Sequence, residues 1–245
     1  MTEYGGKTIY GATLGIVMLE TRFPRIHGDI GNALTWPFPV QFRIAKAATP
    51  EKVVLGDPEP LADAFLAAGR ELVDSGCDGV ATNCGFLVPF QDRLSAALGV
   101  PVASSSLMQV PFVQRMLPPG RRVGVVTVSA ATLGPVHFAA AGMDPDTPVV
   151  GTDPKGEFAD KILHDSPEID FARARRDVLD AAEALRAEAP DLGAIVLECT
   201  NMVPYARDLR RATGLPVFSI YSYLTWFQAA LLPRRFEPEL DDPRF

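Results

Sequence analysis

Residues 78–105 read DGVATNCGFLVPFQDRLSAALGVPVASS, and residues 193–220, 115 positions further on, read GAIVLECTNMVPYARDLRRATGLPVFSI. Cys84 falls on Cys199, Val88 and Pro89 on Val203 and Pro204, Leu94 on Leu209, and Ala97 on Ala212. Gly99, Pro101, Val102 and Ser104 fall on Gly214, Pro216, Val217 and Ser219. That makes nine gap-free identities between positions 84 and 104, where residue usage of a few per cent per type gives about one or two by chance. The pattern is that of an internal duplication. Equivalent residues of two like halves meet at the cleft they share, and here the equivalent pair is two thiols.

Upstream the repeat continues. Thr13–Leu19 (TLGIVML) is a short apolar run of the kind that forms a buried strand, and Arg122–Val128 (RVGVVTV) is its counterpart at an offset of 109. Further strands are expected at Phe42–Ala47, Val53–Leu55, Gly79–Thr82, Val100–Ala103, Val149–Gly151, Ala194–Leu197 and Leu215–Ile220. Leu61, Phe65, Ala68 and Leu72 recur at helical spacing within Pro58–Ser75. Helices are also expected at Pro89–Leu98, Val110–Met116, through His137 to Ala141, Asp170–Ala189, Val203–Ala212 and Tyr223–Leu232, with a polar tail from Pro233 on. Strands alternating with helices imply right-handed crossovers and parallel sheets covered on both faces. The expected fold is therefore α/β: two lobes related by a pseudo-twofold, each a short parallel sheet flanked by helices, with a cleft between. The duplication divides the chain into residues 1–110 with 215–245 as one lobe and 111–214 as the other. Ligands of such sheets bind beyond the carboxyl ends of the strands, where Cys84 and Cys199 both stand.

Between the first two strands runs Glu20–Val40 (ETRFPRIHGDIGNALTWPFPV), rich in Gly, Pro and Asn. A loop this long is either a lid over the cleft, with Asn32 or Thr35 touching substrate, or a surface excursion packed by Trp36 and Phe38. Ser104–Ser106 read either as turn and cap residues or as substrate contacts.

Across its 245 residues the chain is 47% hydrophobic and 22% charged, the composition of a globular protein with a sizeable core. A net charge of −7 argues against nucleic acid and anionic membrane surfaces as partners. No run approaches the ~20 apolar residues of a membrane helix, and the start lacks the order of a signal peptide. A cytoplasmic location with reduced thiols is expected. Cys77 falls on Leu192, which marks it as a small core residue. His27, His137 and His164 have no metal-ligand spacing, so no metal site is expected. A homo-oligomer is compatible with all of this.

A thiol between a strand and a helix N-terminus sits among partial positive charge and free N–H donors, which lowers its pKa and supplies thiolate. Two such thiols on opposite faces of one substrate suit stereoinversion. One removes the proton from a carbon beside a carboxylate, donors stabilise the enediolate, and the other returns a proton to the opposite face. No cofactor is needed.

Thr82-Asn83-Cys84-Gly85 and Glu198-Cys199-Thr200-Asn201-Met202-Val203-Pro204 resemble the two cysteine motifs of the aspartate/glutamate/hydantoin racemase superfamily. The segment Gly124–Thr132 extends the resemblance over most of the chain. It implies cofactor-independent proton transfer at carbon on a small carboxylate-bearing substrate. By that likeness Cys84 and Cys199 are the acid and base, and Asn83, Ser129, Thr132 and Thr200 hold the substrate. Asn201, where glutamate racemases carry a histidine, joins this group, as does Asn32 from the loop. Glu198 stands where a small residue is common; it either keeps Cys199 protonated, binds a substrate amine, or makes a polar contact elsewhere. The function implied is an amino-acid racemase or epimerase, with a malonate-type decarboxylase or a maleate-type cis–trans isomerase as the alternative.

Overall fold

The structure is a computed structural model describing residues 2–236. Strands β1 (Leu14–Leu19), β2 (Val40–Ala45), β3 (Gly79–Thr82) and β4 (Val102–Ala103) form a parallel sheet in the order β2-β1-β3-β4. Strands β5 (Arg122–Thr127), β6 (Val149–Gly151), β7 (Leu192–Leu197) and β8 (Val217–Phe218) form a second parallel sheet, β6-β5-β7-β8. The two orders coincide once the halves are superposed in sequence, as a duplication requires.

Each sheet is buried on both faces, which is why its strands read as unbroken apolar runs. Along β1 the side chains alternate with the strand's period of two. Val17 and Leu19 face the main core, while Leu14, Ile16 and Met18 face a second cluster with Trp36, Ile220 and Leu224. Helices α1 (Ala62–Asp74) and α6 (Phe171–Glu188) lie directly on the central strands. A Cβ at Gly15 would stand 2.9 Å from Leu72, and one at Gly124 would stand 3.0 Å from Leu185. The glycine shared by the two halves is what lets each helix approach so closely.

The covering helices are exchanged. α3 (Val110–Met116) follows β4 but packs on β5, and α8 (Ile220–Leu231) follows β8 but packs on β3. The remaining helices are α2 (Gln91–Leu98), α4 (Pro135–Ala141), α5 (Glu157–Leu163) and α7 (Ala206–Thr213). One apolar cluster runs through both sheets and includes Cys84 and Cys199, so the lobes share a core and the thiols lie at its seam.

Several expectations are corrected. The strand at Val217–Phe218 pairs with β7 and belongs to the second sheet, so the division at residue 215 cuts that sheet; only α8 crosses to the first lobe. Residues 237–245 of the expected polar tail lie outside the described residues. Val53–Leu55 is not a strand. It belongs to a π-helical turn, Glu51–Leu55, that buries Val53 and Val54. The stretches after the two cysteines start as 3-10 turns, Gly85–Phe90 and Thr200–Tyr205, before α2 and α7 begin. Proline at 89 and 204 withholds an N–H and favours that tighter start. Helix α5 went unread because seven residues give too short a window for a period, although Phe158, Ala159, Ile162 and Leu163 are all buried.

Candidate active site

Cys84 and Cys199, two residues beyond the ends of β3 and β7, line one narrow cavity together with Asn83, Glu198, Thr200 and Asn201. The loop after β1 supplies Thr21, Phe23 and Arg25 to the same cavity. Space open to the centre of a water-sized sphere is only about 20 Å³, room for about one water. A substrate therefore enters only when the loop or the lobes move apart.

Hydrogen bonds stitch the seam. The Thr200 hydroxyl donates to the Asn83 carbonyl at 2.6 Å, joining the lobes. Asn83 Oδ1 accepts from the Leu19 N–H at 2.7 Å, which anchors the end of β1. The Cys199 thiol donates to Asn201 Oδ1 at 3.6 Å, and Asn201 Nδ2 donates to Asp29 Oδ2 at 2.6 Å. Asp29 is paired through its other oxygen with Arg25 at 2.7 Å. Arg25 also donates to Thr21 Oγ1 at 2.9 Å and lies 4.5 Å from the Phe23 ring centre. A chain of four groups thus runs from a loop guanidinium to the sulfur of Cys199.

Glu198 is 1% exposed. Thr127 Oγ1 donates to its Oε2 at 2.8 Å, and among the described residues it forms no ion pair. Burial pushes its carboxyl up to about 7, against the hydrogen bonds from Thr127 and Val128. Both thiols are pushed up as well, first by burial and then by Glu198. The Phe86 N–H and Arg25 oppose this at Cys84, as the Asn201 N–H does at Cys199. The expectation of lowered thiol pKa values is thus corrected. The N–H donors are present, but burial and a neighbouring acid outweigh them, and the resting state is thiol.

A family model described as Asp/Glu/Hydantoin racemase matches residues 57–227. The chain belongs to that family. Two relatives of this Asp/Glu/hydantoin racemase family member carry the name dimethylsulfoniopropionate lyase. One, from Durusdinium sp. clade D, is 27% identical over 96% of this chain and 77% of its own length. The other, lyase 7 of Emiliania huxleyi, is 28% identical over 95% of this chain and 69% of its own length. The solved structure of unliganded arylmalonate decarboxylase superposes with a TM-score of 0.55 at 16% identity, covering 93% of this chain and 97% of that one; this likeness establishes the shared fold.

Not every residue assigned to the substrate from sequence reaches the racemase-family cavity. Asn83, Thr200 and Asn201 do; Ser129, Thr132 and Asn32 do not. The chain turns away after β5, so Thr132 donates to Ser129 at 2.8 Å and lines a separate cleft with Val136 and His137. Thr127, two residues before Ser129, does not line the cavity either, but its hydroxyl donates to Glu198, which does. Asn32 is used up by its own loop: Oδ1 caps the turn at Leu34 at 3.0 Å and Nδ2 donates to the Arg25 carbonyl. Thr35 likewise bonds Gly28 and Asp29 within the loop. Ser105 caps the turn that starts at Ser106. Arg25, Asp29 and Thr127 were missed. An arginine and an aspartate four apart in an aperiodic loop were the available signal, and nothing local ties them to a cysteine far along the chain. Among the described residues no group of three His, Cys, Asp or Glu side chains forms a metal site, and no helix is long and apolar enough to cross a membrane.

Two expected results follow from this arrangement. Asn32→Ala should cost about 1 kcal/mol in chemical denaturation through loss of the cap, while kcat and KM stay within about twofold. A large kinetic effect would return Asn32 to the substrate. The second concerns pH. Because the folded pKa of Glu198 lies above its unfolded value, the folded state holds the proton more tightly. Its contribution is full below the unfolded value and is lost as pH rises through about 7. Stability of the ligand-free protein should fall by a few kcal/mol between about pH 4.5 and pH 7.5. Glu198→Gln should flatten that slope in a series of thermal melts.

Proposed function

We propose that the chain moves a proton at a carbon beside a carboxylate, with Cys84 and Cys199 as acid and base, and that the reaction is β-elimination from dimethylsulfoniopropionate. The chemistry rests on one observation, two thiols lining a single narrow cavity at the seam of the lobes. The substrate rests on the name borne by relatives that align with nearly the whole chain. In this reaction a cysteine thiolate takes the proton from the carbon next to the carboxylate. The electron pair forms the carbon–carbon double bond, the carbon–sulfur bond breaks, and its electrons leave on sulfur. The products are dimethyl sulfide, propenoate and one proton, and no external oxidant or reductant enters the balance. Arg25, with guanidinium N–H groups beyond those bound to Asp29 and Thr21, is suited to the substrate carboxylate.

Racemisation of an amino acid or its derivative is the second reading. Elimination needs only one base, whereas the cavity presents two equivalent thiols, as inversion demands. One assay separates the readings. Purified protein is given dimethylsulfoniopropionate, with volatile sulfide and propenoate as the readout, and in parallel a panel of D- and L-amino acids in D2O. Sulfide release without deuterium in the amino acids is the expected result. Label and inversion at the α-carbon with no sulfide would transfer the assignment to racemisation.

A further inference from the structure

We propose that Glu198 selects the substrate by its positive charge: the cavity takes a zwitterion, a short carboxylate bearing a sulfonium or quaternary ammonium group, and Glu198 faces the cation. The proposal deepens the elimination reading above and rests on it for the position of the substrate.

Among the described residues lining the cavity, Arg25 is the one strong base and Glu198 the one acid. Arg25 is already neutralised by Asp29. Glu198 has a hydroxyl partner and no cation. A buried carboxylate without a counter-ion is costly, and a bound cation offsets that cost. The duplication sharpens the point. Glu198 occupies the position that Asn83 holds in the first half, where a neutral amide is satisfied by the Leu19 N–H. One lobe therefore carries a satisfied amide and the other an acid with no cation.

The walls favour an alkylated onium over a primary ammonium. Phe23, Phe86, Val54 and Ile162 offer apolar and aromatic surface to methyl groups, while a group with three N–H donors would find few acceptors there. Charge also links selection to reactivity. After burial, Glu198 is the second cause that holds both thiols protonated; a cation beside it removes that part of the effect and eases loss of the proton from sulfur when the onium is bound. Cleavage turns the onium sulfur into a neutral sulfide, which ends the attraction and favours release.

The test is calorimetric binding of two ligands of equal shape, β-trimethylammonio-propanoate and its all-carbon isostere 4,4-dimethylpentanoate. The Thr127 hydroxyl and Gly85 stand against the Glu198 carboxylate, whose charge reaches the thiols of Cys84 and Cys199; the Arg25–Asp29 pair lies elsewhere on the wall and His137 packs on Phe86. Since both ligands carry the same carboxylate, the affinity ratio isolates the response to the cation. The onium should bind about tenfold or more tighter at about pH 8.5, and the ratio should fall toward one at about pH 5.5 as Glu198 takes a proton. Glu198→Gln should abolish the preference at both pH values. A ratio near one in the parent protein at the higher pH overturns the proposal, as does a preference that survives in Glu198→Gln. Should that variant not fold, the pH series on the parent decides alone. Sulfide release without cation preference would sink this proposal and leave the elimination reading standing. Cation preference without sulfide release would do the reverse.

Discussion

Cys199→Ser is expected to lower kcat by about 10²–10⁴-fold. The substitution keeps the volume and a hydroxyl donor to Asn201, so the seam should remain closed and the fold intact. What it removes is a thiol, which in the same surroundings gives up its proton far more readily than the alcohol that replaces it. Of the two sulfurs, Cys199 is the one whose proton is aimed, since Asn201 accepts it and Asp29 and Arg25 hold Asn201 in place. The deficit should appear in kcat rather than KM, because the sulfur acts on the reacting carbon and not on binding. Cys84→Ser makes the comparison informative. If the reaction is elimination, one sulfur suffices and the Cys84 variant should keep more activity than the Cys199 variant. Inversion of a stereocentre would make both losses severe. A Cys199→Ser protein with more than about a tenth of parental turnover would remove that thiol from the chemistry.

Gly85→Ala should be the most destabilising small substitution at the site. An added Cβ would overlap the Glu198 carboxylate and stand 2.7 Å from the Glu198 carbonyl oxygen. Backbone from two lobes meets here, so neither side can yield without opening the seam. Turning the Glu198 side chain away would break its bond to Thr127 and leave a buried acid unsatisfied. Overpacking and the lost hydrogen bond together suggest about 3 kcal/mol, or roughly 6–10 °C in Tm for a chain of this size. Adding Glu198→Ala should restore part of the loss by removing the group the methyl strikes, and the double-mutant cycle measures that coupling. A Gly85→Ala protein within about 0.5 kcal/mol of the parent would mean the lobes are not held together at this point.

Much of the molecule was legible before any coordinates. The offset of 115 placed Cys84 and Cys199 in equivalent turns, and the structure puts both on one cavity. The repeated Gly15 and Gly124 marked the strands on which α1 and α6 lie. These features are periodic or repeated, and sequence records periodicity directly. Helix α5 and the turn at Glu51–Leu55 escaped because seven and five residues are too few to show one.

By itself the sequence determined the architecture, two like parallel sheets with a thiol at the end of one strand in each, because burial on both faces writes itself into neighbouring residues. Only the tertiary structure decided which side chains complete the site and in what protonation state. Thr127 rather than Ser129 meets Glu198, Arg25 and Asp29 reach Cys199 through Asn201, and the thiols rest protonated. Those outcomes depend on dehydration and on contacts between segments as many as 172 residues apart, and neither leaves a mark on the order of adjacent residues.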